Sequence, residues 1–288
     1  MIIVTGASGQ LGRAIVERLL ERIPAEQIGV SVRDPEKVQD LKERGVRVRH
    51  GDFEDPASLT QSFEGMTQLL LVSSNASSRG GDPVAQHRTA IAAALAAGAE
   101  RIVYTSHMAA SFTSAFPPMR DHAATEEMLR QSGLAWTALR NGFYTSSGLM
   151  LMGDALKTGV IEAPADGKVS WTAHDDLAEA AAVILTSPVQ FEGPTPPLTA
   201  AEALDLSDIA EIASALQAQP VRREVITDDA QREKMVARGL PAPVLAITRG
   251  LYLASRNGEF AAVDPTLERL MGHPTTPLQD VLARKISP

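Results

Sequence analysis

A short apolar strand that runs straight into glycines at every third position leaves a chain few choices. Ile2-Ile3-Val4-Thr5 is followed by Gly6-Ala7-Ser8-Gly9-Gln10-Leu11-Gly12, after which Leu11, Ile15, Val16, Leu19 and Leu20 recur at helical spacing. Glycine at a strand-to-helix turn admits positive φ and lets bare backbone approach a ligand. The helix that follows offers unpaired N–H groups and the positive end of its dipole. Strand, turn and helix together predict a dinucleotide site, with Gly6, Ser8, Gly9, Gln10, Leu11 and Gly12 around the pyrophosphate. An ordinary glycine-rich turn is the alternative, and it explains neither the strand before nor the helix after.

The first half continues the same alternation. Residues 28–32 read as a second apolar strand, and 46–49 alternate apolar with charged residues as an edge strand does. Leu69-Leu70-Leu71-Val72 and Ile102-Val103-Tyr104 are continuous apolar runs, the pattern of central parallel strands covered on both faces. Asp55-Pro56 reads as an N-cap and first helical position; helices over 84–97 and through Glu126 and Leu129 end at Gly98 and Gly133. A sixth strand is expected over 136–139. Strands separated by helices at this interval imply an α/β fold with a doubly wound parallel sheet, whose ligands bind at the carboxyl ends of the strands. Beyond Asn141 the rhythm changes to helical stretches near 144–157, 175–187, 206–218, 228–238, 243–257 and 264–271. The proline-rich Gly193-Pro194-Thr195-Pro196-Pro197 separates the third of these from the second. Val169-Ser170-Trp171 is strand-like and is expected to extend the sheet.

Composition narrows the chemistry. The 288 residues contain no cysteine, which removes disulfides, thiolate metal sites and cysteine nucleophiles, so redox work requires a borrowed cofactor. A net charge of −8 disfavours nucleic acid as the main partner. No apolar run approaches the roughly twenty residues that span a bilayer, and no leader pattern opens the chain, so a cytoplasmic protein is the expectation. His174-Asp175-Asp176 reads as a helix start capped by one of its aspartates, and no metal site is expected.

The residue closing the second strand selects the dinucleotide: an acid binds a ribose hydroxyl, and an arginine accommodates a 2′-phosphate. Here it is Arg33, with Lys37 four residues on, which favours NADP(H), here NADPH; a charged surface turn is the competing reading, and Asp34 argues against the phosphate. Asp52 and Phe53 after the third strand fit an adenine amino group and base, although a helix-capping loop explains the same acid. Ser73, Ser74 and Asn75 follow the fourth strand, and Thr105 and Ser106 end the fifth. They would set hydroxyl groups beside the ribose and nicotinamide. Residues 1–142 are read as the NADP(H)-binding domain, and 143–288 as a smaller, mostly helical C-terminal substrate lobe that does not fold alone.

Together, Val4 to Gly12, Val32-Arg33, His50-Gly51-Asp52-Phe53, His122-Ala123-Ala124-Thr125-Glu126 and Leu139-Arg140-Asn141-Gly142-Phe143-Tyr144 resemble, across nearly the whole chain, the NmrA-like branch of the atypical short-chain dehydrogenase/reductases. The bacterial NADPH-dependent quinone oxidoreductases and triphenylmethane dye reductases are the most similar. The resemblance implies a Rossmann fold, NADPH in the cleft, and direct hydride transfer to a quinone or similar conjugated acceptor. A non-catalytic NADP(H)-sensing regulator and a dye reductase are the alternatives. The wider superfamily's Tyr-x-x-x-Lys pair is absent, since Met108 stands four residues after Tyr104. A quinone tolerates that loss, because the electrons it receives spread into an aromatic hydroquinone anion. The resemblance makes His122, Asn141 and Tyr144 the candidate catalytic residues. His122 contacts the nicotinamide ribose or supplies a proton, or instead pairs with Glu126 on the helix surface. Asn141 and Tyr144 orient nicotinamide and acceptor, or instead form an Asn-Gly turn and a wall. Phe112, Phe116 and Met119 in the loop after strand five roof the acceptor or instead belong to a loop packed on the domain, with His107 a lesser polar candidate.

Overall fold

The computed structural model describes residues 1–188 and 191–286. Six strands, β1 (Ile2–Thr5), β2 (Ile28–Val32), β3 (Arg47–His50), β4 (Gln68–Leu71), β5 (Arg101–His107) and β6 (Ala135–Asn141), alternate with helices. The helices are α1 (Gln10–Leu20), α2 (Gln39–Glu43), α3 (Pro56–Phe63), α4 (Pro83–Ala96) and α5 (Pro117–Gln131). Their punctuation is as the sequence predicts: the Asp55 carboxylate accepts from the Ala57 and Ser58 amides ahead of Pro56, and Gly98 and Gly133 follow their helices at φ 79° and 77°.

The main sheet has seven strands, all parallel to their neighbours. β1 is an inner strand, with β2 and β3 on one side and β4, β5, β6 and then the seventh strand on the other, so the chain reverses direction across the sheet between β1 and β4. Alternation along the strands builds two cores. Val4, Val30, Leu70 and Val103 meet Leu11, Ile15, Val16 and Leu19 of α1. Ile3, Leu69, Leu71, Ile102 and Tyr104 meet Leu59, Phe63, Ala90 and Leu129 on the opposite face. Each large apolar side chain so removed from water contributes roughly 1.5–3 kcal/mol.

After Asn141 come β7 (Phe143–Tyr144), α6 (Thr145–Leu151), α7 (Ala155–Thr158), β8 (Val160–Pro164), β9 (Trp171–Thr172), α8 (His174–Thr186) and β10 (Gly193–Pro194). The chain finishes with α9 (Leu206–Gln217), β11 (Arg222–Ile226), α10 (Asp228–Ala237), α11 (Ala242–Arg256), α12 (Thr266–Met271) and α13 (Leu278–Ile286). Phe116, Phe143, Trp171, Ile209, Tyr252 and Phe260 belong to a third core here. No helix among the described residues is long and apolar enough to cross a membrane.

Four expectations fail in this half. The single helix over 144–157 is broken at Gly153, which takes φ 54°. Val169-Ser170-Trp171 does not extend the main sheet; Trp171 and Thr172 pair with Phe143 and Tyr144 in a small separate ladder. The seventh strand is instead β10, inside the proline-rich segment, where Gly193 takes φ 81° and Pro194 lies on the sheet edge, the position a residue without an N–H tolerates. Finally, neither aspartate caps α8: Ala173 precedes it, and Asp176 turns away to accept from the Thr276 amide at 2.6 Å and hydroxyl at 2.7 Å.

Candidate functional site

At the carboxyl ends of β1, β2 and β4 lies an open cleft of about 480 Å³. Gly6, Ser8, Gly9, Gln10, Leu11, Gly12, Arg33, Asp52, Phe53, Ser73, Ser74, Asn75 and Tyr144 all line it, each of them expected from sequence. Gly6 takes φ 65°, and a Cβ on Gly12 would press into the Gly6 carbonyl, so the loop closes this tightly only with glycine. α1 starts after Gly9 with no side-chain cap and no acidic residue in its first turn. Its leading amides therefore remain available to an anion, the arrangement a pyrophosphate requires.

Arg33 is exposed on the cleft wall, and its guanidinium makes no hydrogen bond or ion pair among the described residues. The adjacent acid is occupied: Asp34 accepts from the Glu36 amide at 3.3 Å and lies 3.6 Å from Lys37. Lys37 itself is 69% exposed and outside the cleft lining. Asp52 accepts from the Glu54 amide at 3.0 Å, closing a turn rather than capping a helix.

Thr105 and Ser106 stand behind the wall, both buried. Thr105 Oγ1 accepts from the Ser73 amide at 2.8 Å, and the Ser106 hydroxyl donates to Glu126 at 2.6 Å. Glu126 does not pair with His122. Its carboxylate receives Nε and Nη2 of Arg140 at 3.1 and 2.7 Å, because the β6 terminus brings the guanidinium under α5.

A second, smaller space of about 240 Å³ opens beside the cleft. Ser73, Ser74 and Asn75 line it as well, with His87, Tyr104, Pro118, Asp121, His122 and Ile247. Its aliphatic lining comes from Pro83, Pro118 and Ile247, and the expected roof is elsewhere. Phe112 is 63% exposed, while Phe116 and Met119 are buried in the third core, since α5 begins at Pro117 and shortens the loop.

Two histidines, His87 and His122, line this cavity, and His107 is buried behind them. His87 receives the Ser74 amide on Nε2 at 2.8 Å and meets Thr125 Oγ1 through Nδ1 at 2.8 Å, which requires the proton on Nδ1. Burial lowers its pKa to about 3, and that of His122 to about 4. His122 Nδ1 lies 2.8 Å from the hydroxyl of Tyr104, a phenol whose pKa burial raises. His107 is fully enclosed with its pKa held well below the usual imidazole range by burial; its Nδ1 accepts from the Ala109 amide at 3.2 Å, and its Nε2 has no partner among the described residues.

Asn141 is 2% exposed, and its Oδ1 is likewise unpartnered among the described residues. It does not sit in an Asn-Gly turn. Gly142 joins β6 to β7 and donates its N–H to the Leu198 carbonyl at 2.7 Å, with Thr172 Oγ1 packed where a Cβ would stand. Tyr144 reaches the cleft, its phenol pushed up to about 12 by burial. Its ring lies 4.3 Å, centroid to centroid, from His174.

Sequence reasoning missed Arg79, Gln86, Ser146 and His174, which also line the cleft. Only His174 carried a signal, as the first residue of the His174-Asp175-Asp176 helix start. Gln86 links the walls, bonding Ser74 and, at 2.8 Å, Glu54. No cluster of three metal-ligating side chains exists among the described residues.

A family described as NAD(P)H-binding matches residues 6–188. Quinone oxidoreductase 2 of Escherichia coli (strain K12) is 36% identical over 281 residues, 97% of this chain and 96% of that protein. NAD(P)H azoreductase of Xenophilus azovorans is 29% identical over 276 residues, 95% and 94% of the two chains. The crystal structure of an NADPH-dependent quinone oxidoreductase from Escherichia coli complexed with NADPH is 34% identical and covers 100% of each chain with a TM-score of 0.92. That of the Citrobacter sp. triphenylmethane reductase complexed with NADP(H) is 32% identical and covers 99% of each chain, with a TM-score of 0.89. With an uncapped helix terminus over a glycine loop, an arginine at the end of β2 that is unpaired among the described residues, and this likeness over its full length, the chain belongs to the NAD(P)H-binding family, among its NmrA-like reductases.

Proposed function

We propose that this protein is an NADPH-dependent oxidoreductase that passes hydride directly to a quinone or similar small conjugated acceptor, without flavin. The observation that carries the reading is the shared wall: Ser73, Ser74 and Asn75 border both the dinucleotide cleft and the adjacent cavity. A donor in one space and an acceptor in the other are then neighbours, as hydride transfer demands. The likeness to the quinone oxidoreductase of Escherichia coli supports the same acceptor class.

In this reading the loop from Gly6 to Gly12 holds the pyrophosphate, and Arg33, with Lys37 a turn away, meets the 2′-phosphate. Asp52 and Phe53 border the adenine, and Ser73 to Asn75 the ribose and nicotinamide, with Thr105 and Ser106 supporting them from behind. Tyr144 and Asn141 orient the reacting rings, and His122 serves the acceptor. Bound NADPH supplies the hydride. The chain's own part is orientation, exclusion of water and a hydrogen bond to the oxygen that gains charge. The cysteine-free composition supports a cytoplasmic setting.

A second reading, reduction of cationic dyes, is favoured by one observation: the Asp121 carboxyl lines the cavity and would attract a conjugated cation. The test is NADPH oxidation by purified, flavin-free protein with 1,4-benzoquinone, 1,4-naphthoquinone and a triphenylmethane dye in parallel. Quinone turnover above the uncatalysed rate is expected. Turnover of the dye alone replaces the first reading with the second. Tight NADPH binding with no turnover of any of the three overturns both and leaves a dinucleotide-sensing regulator.

A further inference from the structure

Tyr104 remains unexplained by cofactor binding. It lies in the middle of β5 with no exposed surface, yet its hydroxyl is placed 2.8 Å from Nδ1 of His122 on α5. We propose that Tyr104 is a positioning residue that fixes His122 as a neutral imidazole with its proton on Nε2, so that His122 serves the acceptor as a hydrogen-bond donor and not as a proton source. The inference rests on the quinone-reductase reading for its chemistry, but not for its tautomer.

The direction of the hydrogen bond follows from its surroundings. A phenol is the stronger hydrogen-bond acid and an imidazole nitrogen the stronger acceptor, so the O–H donates to Nδ1. Thr125 Oγ1, the other polar atom near the phenol, already accepts from Nδ1 of His87 and donates to the Asp121 carbonyl at 2.8 Å. With Nδ1 accepting, the ring's only proton is on Nε2, which has no hydrogen-bond partner among the described residues, while the residue lines the cavity. Burial, not the charge of its neighbours, keeps His122 uncharged. Tyr104 and His107 approach from β5, with His107 6.1 Å away, and His87 from α4. Asp121 on its own helix is turned to the Ser77 hydroxyl at 2.9 Å. Burial then holds the imidazolium form down to about pH 4.

This constrains the reaction. NADPH, quinone and one proton give NADP⁺ and hydroquinone. Hydride adds to the quinone, and its electron pair is relayed to a quinone oxygen, which becomes a hydroquinone oxyanion. If Nε2 surrendered its proton and Nδ1 took that of Tyr104, a buried phenolate would result, which the raised phenol pKa forbids. The Nε2–H therefore stabilises the oxyanion without transfer, and the balancing proton comes from water once the product leaves.

The test has two parts. In ¹⁵N-histidine NMR of the unliganded protein, with His122 assigned by its loss in His122→Gln, the ring is expected as the Nε2–H tautomer from pH 5 to 8. Tyr104→Phe should move its Nδ1 resonance. An Nδ1–H tautomer, an imidazolium in that range, or an unmoved resonance overturns the proposal whether or not quinones are substrates. In quinone turnover, His122→Ala is expected to lower kcat about 100-fold, the usual cost of one donor to a developing oxyanion. His122→Gln, whose amide N–H replaces Nε2–H but cannot protonate, should recover to within about tenfold of wild type. Tyr104→Phe should lower kcat about tenfold and raise the pH at which the His122 resonances titrate, because neutral imidazole loses its donor. Equal losses in the Ala and Gln variants overturn the donor role.

Discussion

Arg33 and Asp34 show how one turn chooses its ligand. Both stand at the carboxyl end of β2, where an acid would bind a ribose hydroxyl, yet Asp34 is held by the Glu36 amide and by Lys37 while the Arg33 guanidinium is free among the described residues. Replacing Arg33 by Ala removes a charge-assisted contact worth about 1.5–3 kcal/mol, so NADPH affinity should fall about 10- to 100-fold. NADH affinity should hardly change, and fluorescence titration of both cofactors reads the difference. Equal losses for the two would remove the 2′-phosphate from Arg33. The position of Arg33 was legible in the sequence because it depends only on where a strand ends. The position of Thr105 and Ser106 behind the wall was not, since a hydroxyl at a strand end reads the same whether it faces the ligand or the next strand.

Among elements, the order of strands and the helix ends of the first half were legible because glycine, proline and aspartate punctuate it with local conformational demands; α2, the length of β5 and the start of α5 at Pro117 were not. The second half was not. β8 and β11 pair with each other through residues that look solvent-exposed, such as Arg222 and Glu224, and β10 is a strand made by tertiary placement of Gly193 and Pro194. α13 also went unread, although α8 fixes the approach to it through Asp176. Replacing Asp176 by Ala leaves the Thr276 amide and hydroxyl without their acceptor, at a cost of about 1–3 kcal/mol. The thermal midpoint should fall by several degrees, about 2–4 °C per kcal/mol for a chain of this class. Limited proteolysis should then release the C-terminal helix first; an unchanged midpoint would show that the anchor contributes nothing.

At the scale of the whole molecule, three enclosed histidines make stability depend on acidity. His87, His107 and His122 are held neutral by burial, with folded pKa values below the ordinary 6.5, at about 3 for His87 and about 4 for His122. Below pH 6.5 the unfolded chain therefore binds protons that the folded chain refuses, and stability falls as pH falls toward those lower values. Each histidine contributes on the order of 1.4 kcal/mol per pH unit in that window. The urea midpoint should be flat from pH 7 to 8 and drop clearly by pH 5, and restoring part of the loss with His87→Gln would assign it. The fold that carries these histidines also gives its two binding spaces a common boundary in Ser73 to Asn75. Conformational freedom that this segment surrenders to one guest is not surrendered again to the other. Under the proposed function, dinucleotide and acceptor are therefore expected to be linked and to tighten each other by the same factor, which titration of NADP⁺ with and without quinone reads.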